Sequence, residues 1–226
     1  RELCLYIDSL TPEGGLYTEV QRPVHAKSNS AWRVSPEPWG LPAEIVEHFE
    51  AMGRHLHGFY RAANLLYSQS LRGLQPAWVA AYLDQGKPEE VVAYGRMNRF
   101  KRDLPRIIRP DVIPTKSGMV VTELDPVPGG IGFTASLGSR YGRLGHDIVG
   151  GADGMVLGFA RMIRSVAERE DPVLCVVVSD ESEGYRPEMV WLGEALNEVG
   201  LETYVIHPRD LIFTESGLFA DGGSGK

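Results

Sequence analysis

The chain has 226 residues, 43% of them hydrophobic, which is enough for one large domain or two small ones with an apolar core. Its formal net charge of −7 argues against nucleic acids and acidic membranes as partners, because no basic field would attract them. No stretch approaches the length of a membrane span and the first residues show no signal-peptide pattern, so we predict a soluble, cytoplasmic protein. Cys4 and Cys175 lie far apart in the sequence and are predicted to be reduced thiols.

The clearest helix of the sequence is predicted for residues 42 to 70. Its apolar residues recur at spacings of three and four, which forms one continuous stripe along a helix. Pro76 and Pro88 suit the first turns of two shorter helices, which we expect to end near Gln85 and Gly95. The 40 residues before this helical part hold a short apolar alternation and then a loop-rich segment.

A basic run follows the predicted helices and leads into an acidic segment. Such a run is usually a solvated face. Because this one adjoins a cluster of acids, some of its members are also candidates for holding anionic phosphates. The run consists of Arg96, Arg99, Lys101, Arg102, Arg106 and Arg109.

Residues 106 to 133 carry the most chemical information in the chain. The segments 107 to 114 and 119 to 124 are rich in β-branched residues, and Lys116-Ser117-Gly118 between them is typical turn material. The pattern predicts a β-hairpin with a three-residue loop.

That register makes Asp111 face Glu123 and Arg109 face Asp125, and the alternation of side chains along a strand places all four on one face. Two opposed acids destabilise a hairpin unless a cation lies between them, and Arg109 can neutralise about one of the three carboxylates. Oxygen ligands suit Mg²⁺, so we predict that Asp111, Glu123 and Asp125 bind this metal. A solvated hairpin without function is the alternative, and an even-numbered loop would place Asp111 and Glu123 on opposite faces.

A glycine-rich stretch follows the hairpin, and Gly130, Gly132 and Ala135 in it match the pattern G-x-G-x-x-A. In a dinucleotide-binding fold such glycines directly follow a strand and an acid comes about 20 residues later, and neither condition is met here. We therefore expect the glycines to let the backbone approach a ligand or another segment closely, and a nucleotide-dependent oxidoreductase is a less favoured alternative. Residues 141 to 154 are predicted to be a loop, after which Asp153 caps a helix.

The last part of the chain has the pattern of a βαβ unit. An apolar run at residues 173 to 178 is typical of a strand buried on both faces, a helix is expected from Pro187 to Val199, and residues 201 to 207 alternate as a second, parallel strand. A charged link precedes the unit, so the predicted domains are residues 1–168 and 169–226. A further hairpin is expected between residues 211 and 220.

Ligands bind such units at the carboxyl ends of their strands. Here this position holds an acidic loop with Glu181 and Glu183, which suits a cationic amine. The alternative is a polar loop in which Glu183 or Ser182 caps the following helix.

Several of these segments resemble a known family of ligases. Arg109-Pro110-Asp111, a turn with glycine and Glu123-Leu124-Asp125 are similar to the metal hairpin of the glutathionylspermidine synthase-like branch of the ATP-grasp ligases. The βαβ segment is similar to that family's pre-ATP-grasp part, and the resemblance covers roughly residues 32 to 222. It implies an α/β fold in which a helical N-terminal part packs on an ATP-grasp-type hairpin and a Rossmann-like βαβ segment follows.

The resemblance also implies roles for single residues. Arg109 would contact the γ-phosphate or the acyl-phosphate, and the three hairpin carboxylates would hold the Mg²⁺ ions that bridge the phosphates of ATP. Asp125 stands where the family commonly has Asn. The substrate positions would include Gly130, where the family has a serine, and Glu181 and Glu183 in the amine-binding loop.

The implied activity is that of an ATP-dependent carboxylate–amine ligase that forms an amide through an acyl-phosphate. Its partners would be a small carboxylate and a peptide- or polyamine-like amine. The adenine pocket and the phosphate-gripping lysines of the family come from a part beyond this segment, so this chain is expected to carry the metal half of an active site. A non-catalytic binding module that retains the fold is the alternative.

Overall fold

The computed structural model describes residues 2–9, 34–125, 127 and 129–220 of the chain, which form a mixed α/β structure with small sheets. The helices of this part are α1 (Glu2–Ser9), α2 (Ala43–Leu71), α3 (Trp78–Asp84), α4 (Glu89–Gly95), α5 (Ile131–Arg143), α6 (Gly154–Val166) and α7 (Arg186–Glu198). The strands are β1 (Arg109–Thr115), β2 (Gly118–Asp125), β3 (Leu174–Val177), β4 (Thr203–Ile206), β5 (Leu211–Thr214) and β6 (Gly217–Ala220). Among the described helices none is long and apolar enough to cross a membrane.

The chain separates into two compact units. The helix–hairpin unit comprises Leu41–Val127, and the βαβ unit comprises Arg1–Gly40 together with Pro128–Lys226. The predicted division between residues 168 and 169 does not coincide with these units, because α7 packs against both α5 and α6 and so joins the two sides of that boundary. The loop-rich segment expected before residue 41 lies largely outside the described residues, and the apolar alternation before it belongs to helix α1.

In the helix–hairpin unit the three predicted helices are confirmed as α2, α3 and α4. Pro42 and Pro88 stand directly before α2 and α4, where a missing backbone N–H costs nothing. Ser70 joins the end of α2 to α3, since its Oγ donates to the carbonyl of Pro76 at 2.7 Å and accepts the N–H of Ala80 at 3.1 Å. This hydroxyl is buried and satisfied on both sides.

The two antiparallel hairpins among the described residues end in the same type of turn, Thr-x-Ser-Gly. In the first, Thr115 Oγ1 donates to the carbonyl of Gly118 at 2.7 Å and accepts the N–H of Ser117 at 3.3 Å, and Thr214 makes the matching bonds in the second. Gly118 has a φ of +118°, which suits glycine, and it already pairs with Thr115 as the first residue of β2. The loop therefore has two residues, and the predicted three-residue loop is wrong. The hairpin expected between residues 211 and 220 is confirmed.

In the βαβ unit, strands β3 and β4 are parallel, as predicted. Helix α7 lies against β4, where Gly193 approaches the side chains of Thr203 and Val205. Leucines of α7 and of the segment after it are at most 1% exposed and form the centre of this core. The expected burial of β3 on both faces is wrong, because Val173 and Val177, which lie on one face of the predicted strand, are 55% and 43% exposed.

Helix α5 was not predicted, and part of it occupies residues assigned to a loop. Its glycines disfavour a helix in isolation, but they are required by tight packing. A Cβ at Gly132 would overlap the main-chain carbonyl of Glu188 in α7, and a Cβ at Gly142 would overlap the side chain of Ala152. The expectation that these glycines allow a close approach of another segment is thus confirmed for Gly132.

Replacing Gly132 by alanine tests this contact. We expect Gly132→Ala to lower the free energy of unfolding by about 1–3 kcal/mol or more, because the obstructing atom belongs to the backbone of α7 and cannot rotate away. Gly158→Ala is the matched control, since this glycine lies inside α6 with a side-chain nitrogen of Arg161 at 4.0 Å as its nearest neighbour. It should raise stability by up to about 1 kcal/mol. Urea unfolding measures both, and equal effects of the two changes would contradict the packing assignment.

Candidate functional site

The hairpin brings the predicted site residues into register by a route that the sequence did not indicate. Between the two-residue turn and residue 121 the strands pair regularly, with Val112 opposite Val121. Beyond this point the register shifts, and Asp111 lies opposite Glu123. Thr122 is the extra residue of this β-bulge, and its Oγ1 donates to the carbonyl of Asp111 at 3.2 Å.

The bulge cancels the effect of the shorter loop. A two-residue loop with regular pairing would place Asp111 opposite Thr122, whereas the extra residue restores the pairs Asp111–Glu123 and Arg109–Asp125. Paired residues lie on the same face of a hairpin, so all four side chains share one face. The predicted facing pairs are confirmed, although the predicted loop length was wrong.

Arg109 and Asp125 form an ion pair at the open end of the hairpin. Arg109 Nη1 lies 3.2 Å from Asp125 Oδ2 and donates to the carbonyl of Val127 at 3.3 Å. The second oxygen of Asp125, Oδ1, accepts the N–H of Val127 at 3.0 Å. Both carboxylate oxygens of Asp125 are therefore engaged within the protein, and this pair fixes the path of the chain beyond β2.

Asp111 and Glu123 differ from that pair. Both are exposed, and within the described part of the chain neither carboxylate has a hydrogen bond or an ion pair. Two negative charges thus face each other across the strands without a counter-charge from a described residue, an arrangement that destabilises a hairpin.

The carboxylates of the hairpin meet some of the requirements of a magnesium site but not all of them. No group of three or more His, Cys, Asp or Glu side chains among the described residues is arranged to hold a metal ion. Asp111 and Glu123 offer exposed carboxylate oxygens on one face, and Mg²⁺ in nucleotide sites usually takes one or two carboxylates besides phosphates and water. Asp125 already accepts one hydrogen bond on each oxygen, from Arg109 and from the N–H of Val127, and its contact with a metal stays a prediction.

One arginine of the basic run, Arg96, is engaged in a hydrogen-bond network within the protein. Arg96 donates from Nη2 to Asp84 at 2.6 Å and from Nε to the hydroxyl of Tyr67 at 3.1 Å, and Tyr67 donates to Asp84 at 2.9 Å. Burial raises the pKa of Asp84, but the hydrogen bonds from Tyr67 and Arg96 outweigh it and hold the pKa below its usual value. This network joins α2, α3 and the end of α4.

A second arginine of the run is held by aromatic rings. The guanidinium carbon of Arg99 lies 4.6 Å from the ring centroid of Phe100 and 5.2 Å from that of Tyr94, which are distances of cation–π contact. Arg96 is engaged as well, and Arg109 uses its Nη1 for Asp125 and Val127. The exposed cations of the run without a partner among the described residues are Lys101, Arg102 and Arg106.

The glycine-rich stretch has its own anion. Glu188 of α7 is 0% exposed, and its two carboxylate oxygens accept the N–H of Gly130 at 2.7 Å and of Phe133 at 3.0 Å. These N–H groups belong to the start of α5, where a helix attracts negative charge. A protein carboxylate therefore occupies the position that a cofactor phosphate would take in a dinucleotide fold.

Sequence reasoning missed Glu188, although one signal was present. An acid that shares a helix face with Met189 and Leu192 lies on an apolar stripe and needs a partner. The predicted contact of Gly130 with a substrate stays a prediction, and its backbone N–H is already used.

The acidic loop at the carboxyl ends of β3 and β4 is partly neutralised. Glu183 accepts both its bonds from Nε of Arg186, at 2.9 and 2.8 Å, so it is a poor candidate for an amine ligand. Glu181 is exposed, and a hydrogen bond from Ser179 lowers the pKa of its carboxyl group. The acids follow the carboxyl end of β3, as predicted. Their contact with an amine stays a prediction.

A histidine at the same end of the sheet was not considered from the sequence. His207 Nδ1 accepts the N–H of Arg209 at 3.2 Å, so in the neutral ring Nε2 carries the proton and donates to Asp180 at 3.0 Å. Both ring nitrogens are thus used to join the loops after β3 and β4, and neither faces a substrate.

Both cysteines of the chain lie in the described residues. Cys4 and Cys175 are free thiols and both are partly buried. Burial raises the pKa of Cys175, which favours the unreactive protonated form.

The opposed acids make a stability prediction of their own. In low salt with EDTA, Asp111→Asn should raise the free energy of unfolding by about 0.2–1 kcal/mol, because it removes the repulsion from Glu123. Salt at 1 M should shrink the gain, since the screening length falls to roughly 3 Å. Asp125→Asn changes the charge equally but weakens the bridge to Arg109, so it should lower stability. A loss of stability in Asp111→Asn, measured by urea unfolding, would contradict the opposed-acid arrangement.

Comparison of the chain with protein-family models, with curated proteins and with solved structures found no match. The resemblance to the glutathionylspermidine synthase-like ligases therefore stays a prediction that rests on the hairpin and the βαβ pattern.

Proposed function

We propose that this chain carries the metal–phosphate part of an ATP-dependent carboxylate–amine ligase, with Mg²⁺ and ATP bound at the hairpin. One observation carries the proposal: Asp111 and Glu123 face each other, exposed, on a hairpin whose only described internal ion pair is Arg109–Asp125. A site for a divalent cation explains why a hairpin would keep two opposed acids at a cost in stability.

The side chains of the hairpin divide this work. Asp111 and Glu123 supply carboxylate oxygens on the exposed face, and Asp125 holds Arg109 in place. Arg109 donates from Nη1 to Asp125 and Val127, and the other nitrogens of its guanidinium are available for a phosphate oxygen. A bound Mg²⁺ would supply charge neutralisation at the phosphate oxygens.

The proposed reaction has two steps. A substrate carboxylate oxygen attacks the γ-phosphorus of ATP, which gives an acyl-phosphate and ADP. The amine nitrogen then attacks the acyl carbon, and inorganic phosphate leaves as the amine loses a proton. The contribution of Arg109 is electrostatic, since negative charge moves among the oxygens of the transferred group. Among the predicted amine contacts, Glu181 is favoured over Glu183, whose charge is balanced by Arg186.

A non-catalytic binding module is the second candidate, and a separate observation favours it. Helix α3 carries Trp78 and Tyr82 four residues apart, and these side chains are 68% and 69% exposed. Aromatic residues exposed at this spacing are typical of a helix face that meets a partner. This reading predicts no metal-dependent nucleotide binding at the hairpin.

Titration calorimetry with a non-hydrolysable ATP analogue, with and without Mg²⁺, tests the proposal. We expect Mg²⁺-dependent binding to the wild-type chain and a Kd at least about tenfold weaker in the double variant Asp111→Asn/Glu123→Gln, because a charged ligand pair is removed. The double variant Glu170→Gln/Asp171→Asn is the matched control, since it makes the same charge change at exposed positions that do not belong to the helix–hairpin unit.

The control should bind the analogue as the wild type does. Equal binding by both double variants would move the site off the hairpin. An absence of Mg²⁺-dependent binding in the wild-type chain would favour the binding module.

A further inference from the structure

A group of exposed cations lies between helix α4 and strand β1. We call it the basic segment, and it consists of Arg99, Lys101, Arg102 and Arg106. Within the described part of the chain, none of the four side chains forms an ion pair or a hydrogen bond. Asp103 is the only acid between them in the sequence, and it does not pair with any of them. The positive charge of the basic segment therefore has no ion-pair partner among the described residues.

Hydrogen bonds hold the first part of the basic segment in a compact turn. The N–H groups of Phe100 and Asp103 donate to the carbonyls of Met97 and Phe100, at 3.0 Å each. Asn64 of the long helix α2 donates from Nδ2 to the carbonyl of Lys101 at 2.9 Å, which fastens the turn to that helix. Because this backbone is already ordered, a partner would lose little affinity to ordering it.

Aromatic rings position Arg99 without using its hydrogen-bond donors. Its guanidinium carbon lies 4.6 Å from the ring centroid of Phe100 and 5.2 Å from that of Tyr94, and the two rings are themselves 4.8 Å apart. A cation–π contact restricts where the guanidinium lies, and the N–H groups stay free for an acceptor. A carboxylate fits this donor geometry, because it can accept two N–H groups of one guanidinium side by side.

Exposed apolar side chains lead up to these cations. Val91 and Tyr94 are three residues apart on α4, so they share a face of the helix, and they are 57% and 53% exposed. Met97, which follows the helix, is 45% exposed. Tyr94 joins this apolar row to the basic segment, since Arg99 lies over its ring. The surface therefore combines positive charge with apolar area.

This combination favours one class of anionic partner. A free phosphate would engage the cations alone and leave the apolar row uncovered. A long nucleic acid would also meet the repulsion of a chain with a net charge of −7. A short acidic segment is affected mainly by charges within the screening length of about 8 Å at physiological ionic strength. Apolar side chains in the same segment would cover the exposed face of α4, so a mixed acidic and apolar peptide matches both parts of the surface.

We propose that the basic segment, together with the apolar row of Val91, Tyr94 and Met97, binds a protein segment in which acidic side chains lie beside apolar ones. The carboxylates of that segment pair with the cations, and its apolar side chains cover the exposed face of α4. The surface lies within the helix–hairpin unit, and its binding does not depend on nucleotide binding at β1 and β2.

Fluorescence anisotropy of a short labelled peptide, in which glutamates alternate with leucines, tests the proposal on the full chain at low salt. We expect saturable binding of this glutamate–leucine peptide. Two comparison peptides carry glutamine in place of glutamate, or serine in place of leucine. Each should bind at least about fivefold more weakly, because the charged or the apolar contacts are lost. Added sodium chloride should weaken the binding of the glutamate–leucine peptide, since salt screens exposed charges.

Two double variants test the position of the site. Arg102→Gln/Arg106→Gln should weaken the binding of the glutamate–leucine peptide at least about fivefold. Arg161→Gln/Arg169→Gln is the matched control, since it makes the same charge change at exposed positions that do not belong to the helix–hairpin unit. The control should leave the Kd within about twofold. All four side chains are exposed, so both variants should keep the urea midpoint of the wild type.

Three results would overturn the proposal. The first is an absence of saturable binding of the glutamate–leucine peptide by the wild-type chain. The second is an equal loss of affinity in the two double variants, which would indicate a response to net charge alone. The third is tighter binding of a labelled oligothymidylate or of inorganic tripolyphosphate than of the peptide, which would indicate a nucleic acid or a phosphate as the ligand instead.

Discussion

Opposed negative charges on neighbouring strands repel each other and lower the stability of a hairpin. The hairpin of β1 and β2 nevertheless contains such a pair. Asp111 and Glu123 are brought together by a β-bulge at Thr122, and the turn alone would have separated them. At the open end, Arg109 and Asp125 form the compensating contact and also hold Val127. The extra residue of the bulge thus creates a pair of facing acids that destabilises the hairpin. We base the proposed metal–phosphate site on this pair.

The packing of the βαβ unit depends on a buried carboxylate. Glu188 lies fully buried in α7 and receives the first N–H groups of α5, while Gly132 lets the two helices approach until their backbones touch. The acid and the glycine work together, because the hydrogen bonds require an approach that a Cβ would prevent. The same contact keeps the start of α5 from serving as a phosphate site, which argues against the oxidoreductase reading of Gly130 and Gly132.

Much of this fold could be predicted from local pattern. The stripe of α2 and the parallel strands β3 and β4 follow from periodicity, which is a property of the sequence itself. Helix α5 could not be predicted, because its glycines have low helix propensity and are explained by a partner distant in sequence. The burial of β3 was overestimated for a similar reason, since an apolar run does not reveal whether another element covers each face of the strand.

The candidate site was predictable in its composition but not in its geometry. Facing of Asp111 and Glu123 was expected from a loop of three residues, and it arises from a loop of two and a bulge. The loop is one residue shorter than predicted, and the bulge adds one residue that was not predicted. The two differences cancel, and the alternation of residue types does not reveal either of them. The ion pair of Glu183 with Arg186 was not predicted, since ion pairs depend on side-chain geometry, whereas the pairing of Arg109 with Asp125 was expected from the register.

Cross-strand nuclear Overhauser contacts between residues of the hairpin test the central claim most directly, because they report which residues oppose each other in solution. The register described here predicts contacts between Asp111 and Glu123 and between Arg109 and Asp125, with Thr122 left as the unpaired residue. Contacts between Asp111 and Thr122 and between Arg109 and Leu124 would show regular pairing without a bulge. That result would separate the acids onto opposite faces and contradict the proposed site.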